Sequence, residues 1–213
     1  MRQRVLAGLV IAAALATSAQ AGPFEDGVAA FRNGDYAAAH SAWLGLAEAG
    51  DVTARFNLGL MYHQGRGVAK DTEAAAHWYR LAAEQGDPQA AFNLGLINEA
   101  AGDSGLDEAL RWFRIAAEGR DSLGQVRIGS YYAQGKVMAQ DHAEAAKWYE
   151  LAAKQNNMTA LFSLGTMYAN GQGVPRDLSR ANELYELAEA TSCIVGPNFD
   201  GHDVRFTPAS VGG

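Results

Sequence analysis

Few residues of this chain have the spacing that an enzyme active site requires. A helical zinc-peptidase site needs two histidines four residues apart around a glutamate, and no pair among the histidines has that arrangement. The histidines are His40, His63, His77, His142 and His202. No serine is followed three residues later by lysine, and no Gly-x-Ser-x-Gly sequence occurs, so two common settings for a nucleophilic serine are missing. The sequence predicts no catalytic residue, no cofactor and no enzymatic activity.

Three short patterns are compatible with ion or phosphate binding but have simpler explanations. Residues 65–67 (Gly-Arg-Gly) and 171–173 (Gly-Gln-Gly) join one predicted helix to the next, so we interpret them as turns and not as phosphate-binding loops. Residues 200–203 (Asp-Gly-His-Asp) place carboxylates beside an imidazole, which suits several metals. A polar turn explains that segment equally well, and we predict no metal site.

The dominant pattern of the chain is a repeat of 34–36 residues. Phe-Asn-Leu-Gly, or a variant of it, ends at four glycines that lie 36, 34 and 36 residues apart: Gly59, Gly95, Gly129 and Gly165. A second motif runs in phase with the first, at Trp78-Tyr79, Trp112-Phe113, Trp148-Tyr149 and Leu184-Tyr185. A repeat of this length indicates one supersecondary unit that is copied along the chain and stacked into a solenoid.

Within one unit the pattern predicts two helices. In residues 51–86 we expect a first helix over Thr53–His63, a break at the glycine pair 65–67, and Asp71 as the cap of a second helix. Apolar residues then recur at helical spacing and form one stripe: Ala75, Trp78, Tyr79 and Ala82. Two helices per unit, together with a shorter pair upstream, predict about ten helices and little or no strand.

The four glycines in register predict close contacts between helices. A glycine inside a helix costs about 1 kcal/mol relative to alanine, so four of them at the same position imply a compensating contact. We expect alanine pairs at the facing side of these crossings and tryptophans in the wider gaps. The pairs are Ala82-Ala83, Ala116-Ala117 and Ala152-Ala153.

The first 21 residues have the features of a secretory signal peptide. Arg2 and Arg4 precede an apolar run from Val5 to Ala16, and residues 19–21 (Ala-Gln-Ala) fit a cleavage site. The run is too short to cross a hydrocarbon layer of about 30 Å as a helix. We therefore expect a periplasmic or secreted protein that has no membrane span once this segment is removed.

Charge and cysteine content restrict the partners. The formal charge of −7 becomes −9 when the two arginines of residues 1–21 are removed. Because contacts to phosphates come mainly from lysine and arginine, we expect no nucleic acid partner. The single cysteine, Cys193, cannot form a disulfide within the chain. It is either buried or available for a bridge between two chains. The oligomeric state is not determined by these features, and we expect a monomer.

Residues 52–190 resemble the Sel-1-like repeat, a relative of the tetratricopeptide repeat. The resemblance rests on residues 58–62 (Leu-Gly-Leu-Met-Tyr), 65–68 (Gly-Arg-Gly-Val) and Trp78-Tyr79, and on a similar series around Gly165. It implies an all-α fold, an α/α superhelical solenoid whose first helices line a concave groove. It also implies an adaptor or scaffold function.

The predicted division of the chain follows from these features. It comprises a signal peptide (1–21), a tetratricopeptide-like N-terminal helix pair (22–50), four Sel-1-like repeats (51–86, 87–120, 121–156 and 157–190) and an irregular C-terminal tail (191–213).

The chain departs from two subgroups of this superfamily. The cysteine-rich secreted members, which are reported to bind penicillin-like compounds, carry a disulfide in each repeat, and this chain has no cysteine pairs. The carboxylate clamp of tetratricopeptide repeats needs lysine three residues before the glycine and asparagine just after it. Those positions hold Phe56 and Leu60 in the first repeat. A clamp for a C-terminal carboxylate is therefore not expected.

If the first helices line the groove, their polar residues are the binding candidates. Seven are selected: Asn57, His63, Asn93, Arg127, Ser130, Ser163 and Thr166. The wider set of polar positions on these helices also contains Gln89 and Glu99. Asn57 and Asn93 are equivalent, and each carboxamide can hold a peptide backbone through donor and acceptor together. Alternatively, they bond the neighbouring helix or water. Arg127 stands at the same position and suits a carboxylate of the partner.

Two functions are compatible with these observations. The first is an exported scaffold that binds a protein or peptide of the cell envelope in its concave groove. The alternative is an enzyme or ligand-binding protein that interacts with cell-wall material or penicillin. The repeat and the missing catalytic motifs favour the first.

Overall fold

A computed structural model of the chain describes residues 22–194, 204, 205 and 207. These residues contain ten α-helices and no strand. The helices are α1 (Pro23–Arg32), α2 (Tyr36–Glu48), α3 (Val52–Gln64), α4 (Thr72–Ala83), α5 (Pro88–Ala100), α6 (Leu106–Glu118), α7 (Ser122–Gln134), α8 (His142–Ala153), α9 (Met158–Asn170) and α10 (Leu178–Ile194). A short 3-10 helix, Asp103–Gly105, precedes α6. The prediction of an all-α fold is confirmed.

Some predictions concern parts of the chain outside the described residues. They include the signal peptide at residues 1–21, the Asp-Gly-His-Asp segment at 200–203 and the side chain of Cys193. The structure does describe the start of the predicted irregular tail, where α10 continues to Ile194. The helix therefore extends four residues past the predicted end of the fourth repeat at residue 190.

The helices form a linear stack. Each one packs against the helix before it and the helix after it in the chain. This nearest-neighbour packing is characteristic of a solenoid, in which each unit buries its apolar face against the next. The predicted α/α solenoid is therefore confirmed. The first helices of the four repeats are α3, α5, α7 and α9, and the second helices are α4, α6, α8 and α10.

Each repeat begins with the same helix cap. The side chains of Asp51, Asp87, Asp121 and Asn157 each accept a hydrogen bond from the backbone N–H three residues later, at 2.7, 2.8, 2.7 and 3.1 Å. Such a cap satisfies a backbone donor that has no partner within the helix. Asp71 caps α4 as predicted, accepting from two backbone N–H groups.

The repeat glycines make the tight contacts that the sequence predicts, but with a different partner. A Cβ atom added at Gly59 would lie 2.6 Å from Cδ1 of Tyr79, and one added at Gly95 would lie 2.5 Å from Cε1 of Phe113. The same contact recurs between Gly129 and Tyr149 and between Gly165 and Tyr185. Each glycine therefore accommodates an aromatic ring of the second helix, and the predicted alanine pairs are not its nearest neighbours.

The four tryptophans differ in how far their side chains are buried. Trp43 and Trp112 are buried, whereas Trp78 and Trp148 are only half-buried. The aromatic residue that follows Trp78 is fully buried against the glycine. Because successive residues project about 100° apart around a helix, the second aromatic of each pair faces the first helix and the tryptophan lies beside that contact. All four tryptophans pack in the larger apolar cluster or against it, and Trp78 and Trp148 do so with one side exposed.

The buried residues form two apolar clusters. One extends from Phe24 in α1 to Tyr131 in α7 and includes Val204 of the C-terminal segment. The other joins α8, α9 and α10. Among the described residues, no helix combines the length and the apolar character that crossing a membrane requires.

Candidate functional site

A residue from the C-terminal segment is bound by an asparagine of the first repeat. Asn57 lies on α3 and is fully buried. Its Nδ2 donates to the carbonyl oxygen of Arg205 at 2.8 Å, and the backbone N–H of Arg205 donates to Asn57 Oδ1 at 2.9 Å. One carboxamide therefore satisfies both main-chain groups of a residue 148 positions away. A contact of this kind recognises an extended backbone whatever its side chain.

The guanidinium of Arg205 is bound by the N-terminal residues of α5. Nη2 donates to Asp87 Oδ1 at 2.8 Å, and Nη1 donates to the other oxygen of the same carboxylate. Gln89 Oε1 accepts from Nε at 3.0 Å and from Nη2 at 2.7 Å. A guanidinium that meets a carboxylate with two parallel hydrogen bonds forms one of the strongest polar pairs in proteins. All three nitrogens of the guanidinium are therefore engaged.

Apolar contacts complete this site. The guanidinium carbon of Arg205 lies 3.9 Å from the ring centroid of Phe56, which adjoins Asn57 on α3. A cation over an aromatic face gains electrostatic attraction beyond ordinary packing. Val204, the preceding residue, is buried in the larger apolar cluster. We call Phe56, Asn57, Asp87 and Gln89 the Arg205 site.

The repeat geometry explains why Asp87 is available for this contact. Asp87 caps α5, and its Oδ1 also accepts from the backbone N–H of Ala90 at 2.8 Å. Its negative charge lies at the positive end of the helix dipole, which stabilises it. The side chain of Asp87 is only 4% exposed, compared with 25% for that of Arg205. The equivalent caps Asp51, Asp121 and Asn157 are half-buried.

Arg127, a predicted candidate, lies opposite a carboxylate of its own chain. Its Nη1 is 3.6 Å from Glu99 Oε2, and its guanidinium carbon is 5.6 Å from the ring centroid of Phe113. Glu99 also accepts a 2.9 Å hydrogen bond from the hydroxyl of Tyr131 and lies 3.6 Å from Lys136 Nζ. Burial, followed by the interaction with Glu99, raises the pKa of Tyr131. Arg127 therefore belongs to an internal polar cluster between α5 and α7.

The hydroxyl candidates of the last two repeats lie beside tyrosines of the second helices. Ser130 on α7 and Ser163 on α9 both lie close to the hydroxyl of Tyr149 on α8, and Ser130 Oγ accepts a 2.7 Å hydrogen bond from Gln134 of its own helix. Burial raises the pKa of Tyr149, and the two serine hydroxyls partly offset that effect. Thr166 Oγ1 lies 3.2 Å from the hydroxyl of Tyr185 and also donates to a carbonyl of its own helix. These residues therefore contact neighbouring helices of the stack.

The remaining two candidates are buried or half-buried. Asn93 is 5% exposed at the position of α5 equivalent to Asn57. His63 is half-buried at the end of α3, and its ring stands at 79° to that of Tyr79 with centroids 6.2 Å apart. Burial, and secondly the charge of Lys70, lower the pKa of His63. Among the contacts that the structure describes, Asn57 binds a residue of the C-terminal segment.

A cavity of about 650 Å³ lies between α9 and α10. Its lining is largely apolar and includes Met158, Phe162, Ser163, Tyr185 and Ala188. Phe162 is 61% exposed there, the highest value among the large hydrophobic residues described. This is the terminal repeat of the described stack, where no further helix pair covers the apolar side chains.

Three residues of the Arg205 site, Phe56, Asp87 and Gln89, were not among the seven candidates from the sequence, and neither was the bound residue, Arg205. Asp87 is recognisable there only as a helix cap, and Arg205 lies in the segment predicted to be irregular. Gln89 belongs to the wider set of polar positions. One sequence feature could have pointed to Arg205, because it is the single lysine or arginine between positions 191 and 213. Its pairing with a cap 118 positions earlier is not visible in the sequence.

Comparisons with known proteins agree with this architecture. A family described as Sel1 repeat matches residues 52–87, 88–121, 122–157 and 159–190. A Sel1 repeat protein from Oxalobacter formigenes is 32% identical, with a TM-score of 0.74 over 79% of this chain and 70% of that one. A protective antigen present in uropathogenic Escherichia coli strains, displaying an SLR fold, is 28% identical, with a TM-score of 0.73 over 79% of this chain and 37% of its own.

A curated relative matches half of the chain. It is an uncharacterized protein of Neisseria meningitidis serogroup B, 33% identical over 108 residues, which are 51% of this chain and 22% of that protein. The matched region therefore spans about a fifth of the relative's length.

Proposed function

We propose that this chain, which belongs to the Sel1 repeat family, is a scaffold that binds an extended segment of a protein partner along the first helices of its repeats. Sel1 repeat proteins typically act as scaffolds for protein–protein interaction and are generally not catalytic. The proposal places the partner in a concave groove formed by α3, α5, α7 and α9.

The observation that carries this proposal is the main-chain contact of Asn57. Its carboxamide binds the N–H and the carbonyl of Arg205 at 2.9 and 2.8 Å. Arg205 also reaches Asp87 and Gln89 at the start of the next first helix. The bound residue therefore bridges two consecutive first helices, as an extended peptide lying along the groove would do.

We further propose that the partner is a protein or peptide of the cell envelope. Residues 1–21 support export, because their charged start, apolar run and small-residue end fit a signal peptide. The chain would then be periplasmic or secreted. Mass spectrometry of the protein from fractionated native cells tests this assignment. A cytoplasmic chain that still carries residues 1–21 would contradict it.

Partner capture from envelope extracts tests the groove. The triple variant Asn57→Ala/Asn93→Ala/Arg127→Ala removes the three equivalent side chains of the first helices. A matched triple variant, Glu73→Ala/His77→Ala/Lys147→Ala, removes exposed side chains of the second helices. We expect partners to be lost from the first variant and retained by the second, with circular dichroism confirming that both are folded. Identical partners on both would exclude the groove.

Binding to cell-wall material tests the alternative function. We expect labelled penicillin and peptidoglycan fragments to give neither covalent nor saturable binding to the purified chain. A covalent adduct, or saturation at stoichiometric concentrations, would contradict the assignment as a non-catalytic scaffold.

A further inference from the structure

We propose that the Arg205 site is a subsite for an arginine side chain, and that residues 204–205 occupy it as an intramolecular competitor of the partner. The inference rests on the proposed scaffold function and specifies its ligand. The ligand is an extended peptide in which an apolar residue precedes arginine. The site consists of Phe56, Asn57, Asp87 and Gln89, as defined above.

Recognition of the main chain comes from one residue. Asn57 is fully buried, and both polar atoms of its carboxamide are used by the backbone of Arg205. A buried carboxamide that loses these partners would be left with an unsatisfied donor and acceptor, which is unfavourable. The site is therefore built to be filled by an extended chain, and any peptide supplies the same N–H and C=O groups.

Recognition of the side chain is specific for arginine. The carboxylate of Asp87 takes two parallel hydrogen bonds, Gln89 accepts from Nε and Nη2, and Phe56 lies 3.9 Å from the guanidinium carbon. A lysine ammonium is a compact charge that cannot form this planar fork and stacks less well on a ring. Replacing arginine with lysine therefore removes most of these contacts.

The apolar residue that precedes the arginine is buried in the apolar cluster. Val204 is 4% exposed and belongs to the apolar cluster that includes Phe56. Burial of an apolar side chain such as valine stabilises the bound segment. The pair Val204-Arg205 therefore defines the minimum ligand, an apolar residue followed by arginine.

Competition follows from the covalent connection. A segment tethered to its own binding site has an effective concentration of the order of millimolar. A free peptide of the same sequence at micromolar concentration cannot displace it. A partner must therefore bind additional first helices as well, or its apparent affinity is reduced. A substitution that weakens the contact of residues 204–205 with the Arg205 site would expose the subsite.

Fluorescence anisotropy with a labelled peptide tests the proposal. The probe is His-Asp-Val-Arg-Phe-Thr, the sequence of residues 202–207. The proteins are the full chain and three variants, Arg205→Ala, Arg205→Ala/Asp87→Asn and Arg205→Ala/Asp121→Asn. Asparagine caps a helix as well as aspartate does, and Asn157 already occupies the equivalent position in the fourth repeat. Asp87→Asn therefore removes the charge and keeps the cap, and Asp121→Asn is its matched control.

We expect Arg205→Ala to bind the probe at least about 10-fold more tightly than the unaltered chain does. Asp87→Asn in that background should weaken binding by about 10-fold, as should arginine-to-lysine replacement in the probe, whereas Asp121→Asn should change nothing. Equal binding by the unaltered chain and Arg205→Ala would overturn the competition. Equal binding by the Asp87 and Asp121 variants, or no binding to Arg205→Ala, would overturn the arginine subsite.

A second experiment separates this inference from the scaffold function. Envelope partners captured by Arg205→Ala should be displaced by excess probe and not by the probe with alanine in place of arginine. If partners depend on Asn57 but the probe displaces none, the inference fails and the scaffold function stands. If Arg205→Ala abolishes a concentration-dependent dimer of the unaltered chain, residues 204–205 act between two chains and the intramolecular assignment is overturned.

Discussion

The first and last halves of the repeat array use equivalent positions in different ways. On α3 and α5, Asn57 and Asp87 bind the backbone and the side chain of Arg205, a residue from the C-terminal segment. At the positions of α7 and α9 equivalent to Asn57, Arg127 lies 3.6 Å from Glu99 of α5 and Ser163 lies close to Tyr149 of α8. The repeat position of Asn57 therefore contacts the C-terminal segment in the first repeat and neighbouring helices in the third and fourth.

The packing around the repeat glycines also differs between the two halves, and it is tighter in the first. Tyr79, which covers Gly59, is fully buried, whereas Tyr185, which covers Gly165, is half-buried and lines the 650 Å³ cavity. A side chain in a close-packed interior cannot move without displacing its neighbours, while one beside a cavity has space to adjust. The comparison indicates a rigid first half that positions a bound segment and a more adaptable terminal repeat.

Substitution of the repeat glycines should give the largest difference between the halves. A Cβ at Gly59 would lie 2.6 Å from the ring of Tyr79, and one at Gly165 would lie 2.8 Å from that of Tyr185. We expect Gly59→Ala to lower the free energy of unfolding by about 2–3 kcal/mol and Gly165→Ala by less, about 1 kcal/mol, because Tyr185 can shift towards the cavity. Urea denaturation measures both, and equal losses would refute the packing difference.

Removal of the equivalent polar side chains should give the next largest effect. Asn57→Ala leaves the N–H and C=O of Arg205 without partners, so we expect a loss of about 1–2 kcal/mol and faster hydrogen exchange around residue 205. Ser163→Ala removes one of the two serine hydroxyls beside Tyr149, and we expect a loss below about 1 kcal/mol. Faster exchange at residue 205 in Ser163→Ala as well would show that the two positions are coupled.

Replacement of Arg205 and of Arg127 should give a smaller difference in stability. Arg205 contacts a carboxylate that is 4% exposed, whereas Arg127 lies 3.6 Å from one that is 19% exposed. We expect Arg205→Ala to cost about 1 kcal/mol, because the detached segment lets water reach Asp87. Arg127→Ala should cost about 0.5 kcal/mol or less, since Glu99 retains Tyr131 and Lys136. Thermal unfolding distinguishes them, and a larger loss in Arg127→Ala would reverse the assignment of the two sites.

Acid sensitivity should be the smallest effect and should arise in the first half. Burial lowers the pKa of His40 and of His63 below the usual value of about 6.5. The unfolded chain then binds more protons than the folded chain at acid pH, so stability is present above about pH 6.5 and declines as the pH falls below it. We expect a lower urea midpoint at pH 5.5 than at pH 7.5.

Replacement of these histidines tests that origin. The double variant His40→Gln/His63→Gln should reduce the difference between the two pH values. His77→Gln, at an exposed position of α4, is the control and should leave it unchanged. An undiminished difference in the double variant would place the acid sensitivity elsewhere in the molecule.

Much of the architecture was predictable because it depends on local and periodic features. The interval between Gly59 and Gly95, the cap at Asp71 and the glycine at 65 each act within one repeat, where sequence distance is a good guide to spatial distance. The partner of Gly59 was less predictable. Tyr79 and Ala82 lie on the same apolar stripe, and only the rotation of α4 about its axis decides which of them meets the glycine.

The candidate site was less predictable than the fold. Asn57 was identified from its position and from the capacity of a carboxamide to hold a backbone. Ser130, Ser163 and Thr166 occupy comparable positions but lie beside tyrosine hydroxyls of the second helices. Whether a polar side chain on a first helix faces a partner or a neighbouring helix depends on which residues of the adjacent helix reach it. The length and orientation of those residues are properties of the packed structure.

The sequence by itself determined that this chain is a stack of helix pairs, because the repeat period, the glycine positions and the helix caps are recorded in the order of residues. Tertiary structure decided which of the polar positions binds an extended segment. Arg205 and Asp87 are 118 positions apart, and Arg205 and Asn57 are 148 apart. The physical reason is that a bidentate ion pair and a shared carboxamide need distances near 3 Å, and only the folded stack brings residues so far apart in the chain within that range.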